Sequence, residues 1–222
     1  MKNFLNKIDF HYTYIIMAFG LVLTGHFINL IAFTSLIIIH EFGHVITATI
    51  YKYRIKKITI YPYGGITEFD TLVNTKIEKD LLIAISGIIF QSIYFYTILF
   101  LYRNGIIREY TYNLFFTYHN SMLLFNILPI IPLDGSKIVN LILSKYLNLN
   151  FSNNLIVLIS FITLSMILIG DIYEKNYSMV MVVFILLQNI WNYYKKIEKG
   201  DIIKVNENDI LISFLLPQDI SV

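Results

Sequence analysis

Three ionisable side chains, His40, Glu41 and His44, interrupt the apolar run IIIHEFGHVI at residues 37 to 46. Positions i and i+4 of an α-helix lie about 40° apart on one face, so the two imidazoles can grip one ion. Glu41, turned away by about 100°, falls toward the open side of that ion. In the H-E-x-x-H arrangement the histidines are zinc ligands and the glutamate is the general base that takes a proton from the attacking water. Gly43, between them, lets a second backbone approach this face closely, as small residues do in membrane helix contacts.

In a soluble helix the same pattern is often just a solvated face. Within a bilayer that explanation fails, because a glutamate near mid-membrane costs at least about 2 to 3 kcal/mol on insertion scales and persists only with a partner or a task. Two histidines leave the site incomplete, since catalytic zinc takes three protein ligands plus water. The chain has no cysteine, so the third ligand must be His, Asp or Glu. The stretch FNILPIIPLDGSK, residues 125 to 137, supplies Asp134 within an otherwise apolar run. Pro129 and Pro132 bend the chain there, and such backbone is tolerated at membrane depth only where it is buried in protein or lines a cavity. Asp134 is the expected third ligand; capping a helix that begins near Ser136 is the plain alternative, and the two roles are compatible. His119 precedes Asp134 by 15 residues, about 22 Å along a straight helix, and is excluded from the same ion. His11 and His26 lie at span ends, where a histidine ordinarily faces the interface.

These groups need a scaffold of membrane helices. The chain has 222 residues, 56% hydrophobic and 14% charged, with mean hydropathy +0.64, too little polar surface for a soluble globule. Six apolar runs approach the length that crosses about 30 Å of hydrocarbon. They fall near residues 12 to 26, 29 to 50, 81 to 102, 112 to 132, 153 to 170 and 177 to 194. The first runs straight into the second without a cleavage site and reads as a retained span. With both termini cytosolic, all but Arg103, Arg108 and Lys175 of the 17 Lys and Arg residues fall on the inside, as the positive-inside rule requires. His44 then sits roughly 10 Å below the cytosolic end of its helix. A net charge of +2 gives no case for nucleic acid. The expected fold is an all-α integral membrane protein with one six-span domain over residues 1 to 194.

The segment IKKITIYPYGGITEF, residues 55 to 69, alternates Ile, Thr and Tyr around Pro62, Gly64 and Gly65. It reads as a short β-hairpin or re-entrant loop between the second and third spans. A peptide bond within a helix is sheathed by its own hydrogen bonds, so a transmembrane substrate must be locally extended before attack. A strand edge in this segment would hold it by β-augmentation; a plain structural hairpin is the alternative.

The pairing of HEFGH at 40 to 44 with Asn126-x-x-Pro129-x-x-Pro132-x-Asp134-Gly135 resembles the signature of site-2 proteases, the zinc intramembrane metalloproteases. LTGH at 23 to 26, YPYGG at 61 to 65 and PLDGSKIV at 132 to 139 extend the resemblance over most of residues 10 to 147 and point to the stage IV sporulation branch. The resemblance implies that His40, His44 and Asp134 bind Zn²⁺ and that Glu41 activates water. It also implies supporting or substrate-orienting roles for Asn126, Gly64, Gly65, Pro132 and Gly135. The implied substrate is a membrane-associated regulatory protein, a sporulation pro-sigma factor in that branch, under control by membrane inhibitor proteins in the mother-cell membrane around the forespore. Two departures stand out: the family's third-span Gly-Pro-x-x-Asn reads Gly87-Ile88-Ile89-Phe90-Gln91, and its Asp-Gly-Gly reads Asp134-Gly135-Ser136. Residues 195 to 222 read as a short cytosolic tail, with neither a CBS nor a PDZ domain expected.

Other readings are a protease acting on an anti-sigma factor or another membrane protein, a haem-binding electron carrier, and a noncatalytic scaffold or transporter. Haem wants ligands on opposite sides of its iron, whereas His40 and His44 share a helix face. A scaffold leaves Glu41 beside the pair unexplained.

Overall fold

The structure, a computed structural model, describes residues 7–62, 64–69, 76–173 and 180–199. Seven helices and three strands are assigned among them, in the order β1 (Ile8–Phe10), α1 (Tyr12–Leu23), α2 (Phe27–Ile50), β2 (Ile55–Tyr61), β3 (Gly64–Phe69), α3 (Ile77–Arg103), α4 (Glu109–Ile127), α5 (Asp134–Tyr146), α6 (Leu149–Tyr173) and α7 (Val180–Lys199). Lys175 and residues 200 to 222, the bulk of the expected tail, lie outside the described residues.

Among the described helices, α2, α3 and α6 are long and apolar enough to cross a membrane. Helix α1 is apolar but has 12 residues, about 18 Å of rise against a hydrocarbon core near 30 Å. Ile15, Ile16, Phe19 and Leu23 on α1, and Leu158, Phe161, Ile162 and Met166 on α6, are exposed. Apolar outward faces of this kind are suited to lipid, where the backbone is satisfied within each helix.

The chain divides into two compact units, residues 1–70 with 85–124, and residues 71–84 with 125–222. In the first unit, Tyr14, Leu36, Ile37, Ile60, Phe115 and Met122 belong to one buried apolar cluster. Its sheet has the order β1-β2-β3, parallel between β1 and β2 and antiparallel between β2 and β3. The hairpin of β2 and β3 has a turn at Pro62, and Gly64 takes φ +150 where β3 begins, a backbone angle that side chains disfavour. The short strand β1 was not anticipated from the sequence: three residues give too little alternation to register as a strand. It is held by the ladder that pairs Ile8 with Ile58 and Phe10 with Ile60, by the Lys57–Asp9 ion pair and by Lys7 Nζ donating to the Ile55 carbonyl. Ile60 therefore lies on the central strand, 1% exposed, and the outer strand on the Gly64–Gly65 side is β3.

The second unit is cored by Ile130, Leu133, Ile156, Leu164, Leu186 and Ile190. The apolar run 112 to 132 is not one helix. Helix α4 stops at Ile127, and residues 128 to 133 are non-helical up to the start of α5. Proline cannot donate the helix hydrogen bond and disfavours helical backbone before it, which explains the break at Pro129 and Pro132. Ser160 of α6 repairs the broken backbone: its Oγ donates to the Pro129 carbonyl at 3.1 Å and accepts from the Ile131 N–H at 3.1 Å.

Candidate metal centre

Helix α2 places His40, Glu41 and His44 about two turns before its end at Ile50, all three buried. The imidazole planes of His40 and His44 stand 79° apart, and their Nε2 atoms lie 3.1 Å from one another. Two nitrogens each 2.0 to 2.1 Å from a tetrahedral zinc ion would be separated by about 3.3 Å. The pair is thus spaced for one shared ion.

Helix α3 keeps the ground beside that pair clear. A Cβ on Gly87 would come 2.4 Å from His44 Nε2 and 2.7 Å from His40 Nε2. Any side chain at 87 would fill the place next to both ligand atoms, so glycine leaves a cradle there. The helices meet closely because Gly43 has no side chain either; its Cβ would approach the Ser86 carbonyl to 2.6 Å. Gly87 also belongs to the departed third-span motif, so the glycine is retained where the neighbouring proline is not.

The hairpin closes over the glutamate. Thr67 Oγ1 on β3 donates to Glu41 Oε2 at 2.7 Å. Gly65 lies so near that a Cβ there would fall 2.3 Å from Glu41 Cγ. Glu41, 5% exposed, is therefore gripped by a strand. The strand alternation around Thr67 is visible in the sequence, but its register against α2 is not.

In the second unit, Asp134 is 4% exposed and is the first residue of α5, preceded by Leu133 at the cap position with no side-chain cap bond. The helix thus begins at Asp134 and not near Ser136, and Asp134 occupies its first turn, where a carboxylate complements the helix dipole. Lys137 Nζ donates to Asp134 Oδ1 at 2.8 Å. Gly135 packs against the preceding bend; a Cβ there would meet the Ile127 carbonyl at 2.2 Å. Pro132 is half-buried two residues before Asp134, and Asn126 is half-buried in the last turn of α4.

The remaining histidines have structural partners. His11 Nδ1 accepts from the Thr13 N–H and caps α1, while His26 bonds the Thr24 hydroxyl at the start of α2. His119 on α4 is buried, stacked on Phe95 with ring centroids 4.3 Å apart, and bonded to Gln91. Gln91 bonds His40 in turn.

The donor chemistry suits zinc. In the first unit His40 and His44 offer two buried imidazoles, and in the second unit Asp134 offers a buried carboxylate. Two imidazoles and a carboxylate, with no thiolate, fit a catalytic rather than a structural zinc centre.

A protein-family model described as Peptidase family M50 matches residues 28–112, which include α2 from its second residue on, the hairpin and all of α3. Stage IV sporulation protein FB of Bacillus subtilis is 35% identical over 142 residues, 64% of this chain and 49% of that protein. A zinc metalloprotease of Methanocaldococcus jannaschii is 32% identical over 112 residues, 49% of this chain and 32% of that protein. The chain thus spans about half the length of the first relative and about a third of the second. The solved structure of a site-2 protease from Methanocaldococcus jannaschii shares the fold, with a TM-score of 0.67, 23% identity and coverage of 84% of this chain and 91% of that one.

Proposed function

We propose that this chain is a zinc-dependent intramembrane endopeptidase, with His40, His44 and Asp134 as metal ligands and Glu41 as general base. The observation that carries the reading is the pair of buried Nε2 atoms, 3.1 Å apart, facing the cradle left by Gly87. Bound there, zinc would supply Lewis acidity, polarising the scissile carbonyl and easing deprotonation of the attacking water. Glu41 takes the proton of that water. Thr67 holds Oε2, so Oε1 is the oxygen that receives it. The water oxygen adds to the carbonyl carbon, the C–N bond breaks, and Glu41 delivers the proton to the leaving nitrogen. Burial of all three α2 residues keeps bulk water from competing for these contacts.

The wider reading places residues 1 to 194 in the bilayer as one six-span protease domain with cytosolic termini and the reactive groups toward the cytosolic side. The lysine and arginine asymmetry supports this orientation. The substrate is a membrane-associated regulatory protein. A sporulation pro-sigma factor is the specific candidate, supported by the similarity to a stage IV sporulation protein and by the family resemblance. Asn126, Gly64, Gly65, Pro132 and Gly135 take supporting roles in this scheme, Gly65 by admitting β3 against Glu41.

Glu41→Gln tests the mechanism. The variant should keep zinc and lose cleavage of a co-expressed pro-sigma factor, with the rate down by about 10² to 10⁴. Undiminished cleavage by this variant overturns Glu41 as the base.

A further inference from the structure

We infer that Gln91 is a positioning residue that fixes His40 in the tautomer a metal ion requires, and that it takes its own orientation from the backbone carbonyl of His119. The inference rests on the metal reading of His40 and concerns how this chain prepares that ligand.

A neutral imidazole carries one proton, and only its other nitrogen can ligate. For His40 to present Nε2, its proton must reside on Nδ1. Gln91 is completely buried, on α3 and one helical turn after Gly87. Its side-chain amide meets three atoms: His40 Nδ1 lies 3.1 Å from Oε1, while the His119 carbonyl oxygen and His119 Nδ1 each lie 3.1 Å from Nε2.

A backbone carbonyl can only accept, so the end of the amide that faces it must be the NH₂. The other end is therefore the carbonyl oxygen, which can only accept as well. His40 Nδ1 must then donate to it, and the lone pair of His40 is left on Nε2, the atom 3.1 Å from its counterpart on His44. The second N–H of Gln91 is used by His119 Nδ1, which accepts and so carries its own proton on Nε2. Each hydrogen-bonding direction follows from one fixed acceptor, the His119 carbonyl.

The surroundings make the device rigid. The His119 ring lies flat on Phe95, with planes 2° apart, and is 6% exposed. Gly87 and Gln91 are four residues apart, so one face of α3 supplies both the open place beside Nε2 and the acceptor behind Nδ1. The family motif has asparagine where this chain has Gln91. The longer side chain here reaches His40 and His119 together.

The test uses the full-length chain purified in detergent. Zinc affinity is measured by competition with a chromophoric chelator for the wild type, Gln91→Leu and His119→Ala. Histidine ¹⁵N NMR of the metal-stripped wild type reads which His40 nitrogen bears the proton. The expected results are a proton on His40 Nδ1, an affinity loss of about 10- to 100-fold for Gln91→Leu, and a smaller loss for His119→Ala, which removes the second acceptor of Gln91 but keeps the carbonyl. A proton on His40 Nε2 in the wild type, or unchanged affinity in Gln91→Leu, overturns the inference. An equal loss in His119→Ala overturns the assignment of the carbonyl as the fixed point. Failure of the wild type to bind zinc at all refutes the metal reading instead, while the NMR tautomer still decides the role of Gln91 without any variant.

Discussion

Replacing Gly87 with alanine would add one methyl group at the most sensitive place on α3. The new carbon would lie 2.4 Å from His44 Nε2, 2.6 Å from His44 Cε1 and 2.7 Å from His40 Nε2. Ordinary contact needs about 3.5 Å, so both rings must retreat by roughly 1 Å. They have little room to do so: Gln91 ties His40 from behind, and Gly43 is already against the Ser86 carbonyl. Overpacking of this kind costs about 1 to 3 kcal/mol of stability. The effect on metal binding should be larger, because the methyl also enters the ion's place, and disturbing the groups that orient metal ligands costs about 10- to 100-fold in metal affinity. Zinc affinity by chelator competition should therefore fall by about 10- to 100-fold, with the unfolding midpoint lowered modestly. Gly20→Ala is the matched control. Among the described residues nothing lies within 4 Å of a Cβ there, and alanine in the interior of α1 should leave zinc affinity unchanged and raise stability by about 0.5 to 1 kcal/mol. Wild-type zinc affinity in Gly87→Ala would refute the cradle and, with it, the location of the ion between the two imidazoles.

Thr67→Val removes the hydroxyl that holds Glu41 Oε2 while keeping the side-chain volume. A hydrogen bond to a charged group is worth about 1.5 to 3 kcal/mol, so turnover should drop about 10- to 100-fold with zinc affinity unchanged; parallel loss of zinc would show that β3 supports the ligands and not the base. Ser160→Ala strands the Pro129 carbonyl and the Ile131 N–H in the second unit. A loss of about 1 to 3 kcal/mol should appear as a lower unfolding midpoint in detergent, and an unchanged midpoint would mean that the bend does not depend on Ser160.

Local periodicity decided much of this protein. Helix α2 follows from a long, mostly apolar run without proline, and its spacing of His40 and His44 dictates a shared face because i and i+4 do so in any α-helix. The break after Ile127 follows from two prolines whose effect is confined to neighbouring residues. The hairpin around Gly64 and Gly65 is local as well. Strand β1 escaped notice because a three-residue strand carries no period of its own; the pairing with β2 makes it a strand.

The tertiary structure decided which groups hold the reactive ones. Gln91 reaches His40 across 51 residues of sequence and His119 across 28, while Thr67 reaches Glu41 across 26. In the sequence, His119 lies too far along its run from Asp134 to share an ion. Its contact with the centre runs through Gln91 to His40 instead. A helix fixes which of its own residues share a face. Which glutamine, threonine or glycine of another segment meets that face depends on how the segments pack in space, and no periodicity within a single segment carries that information.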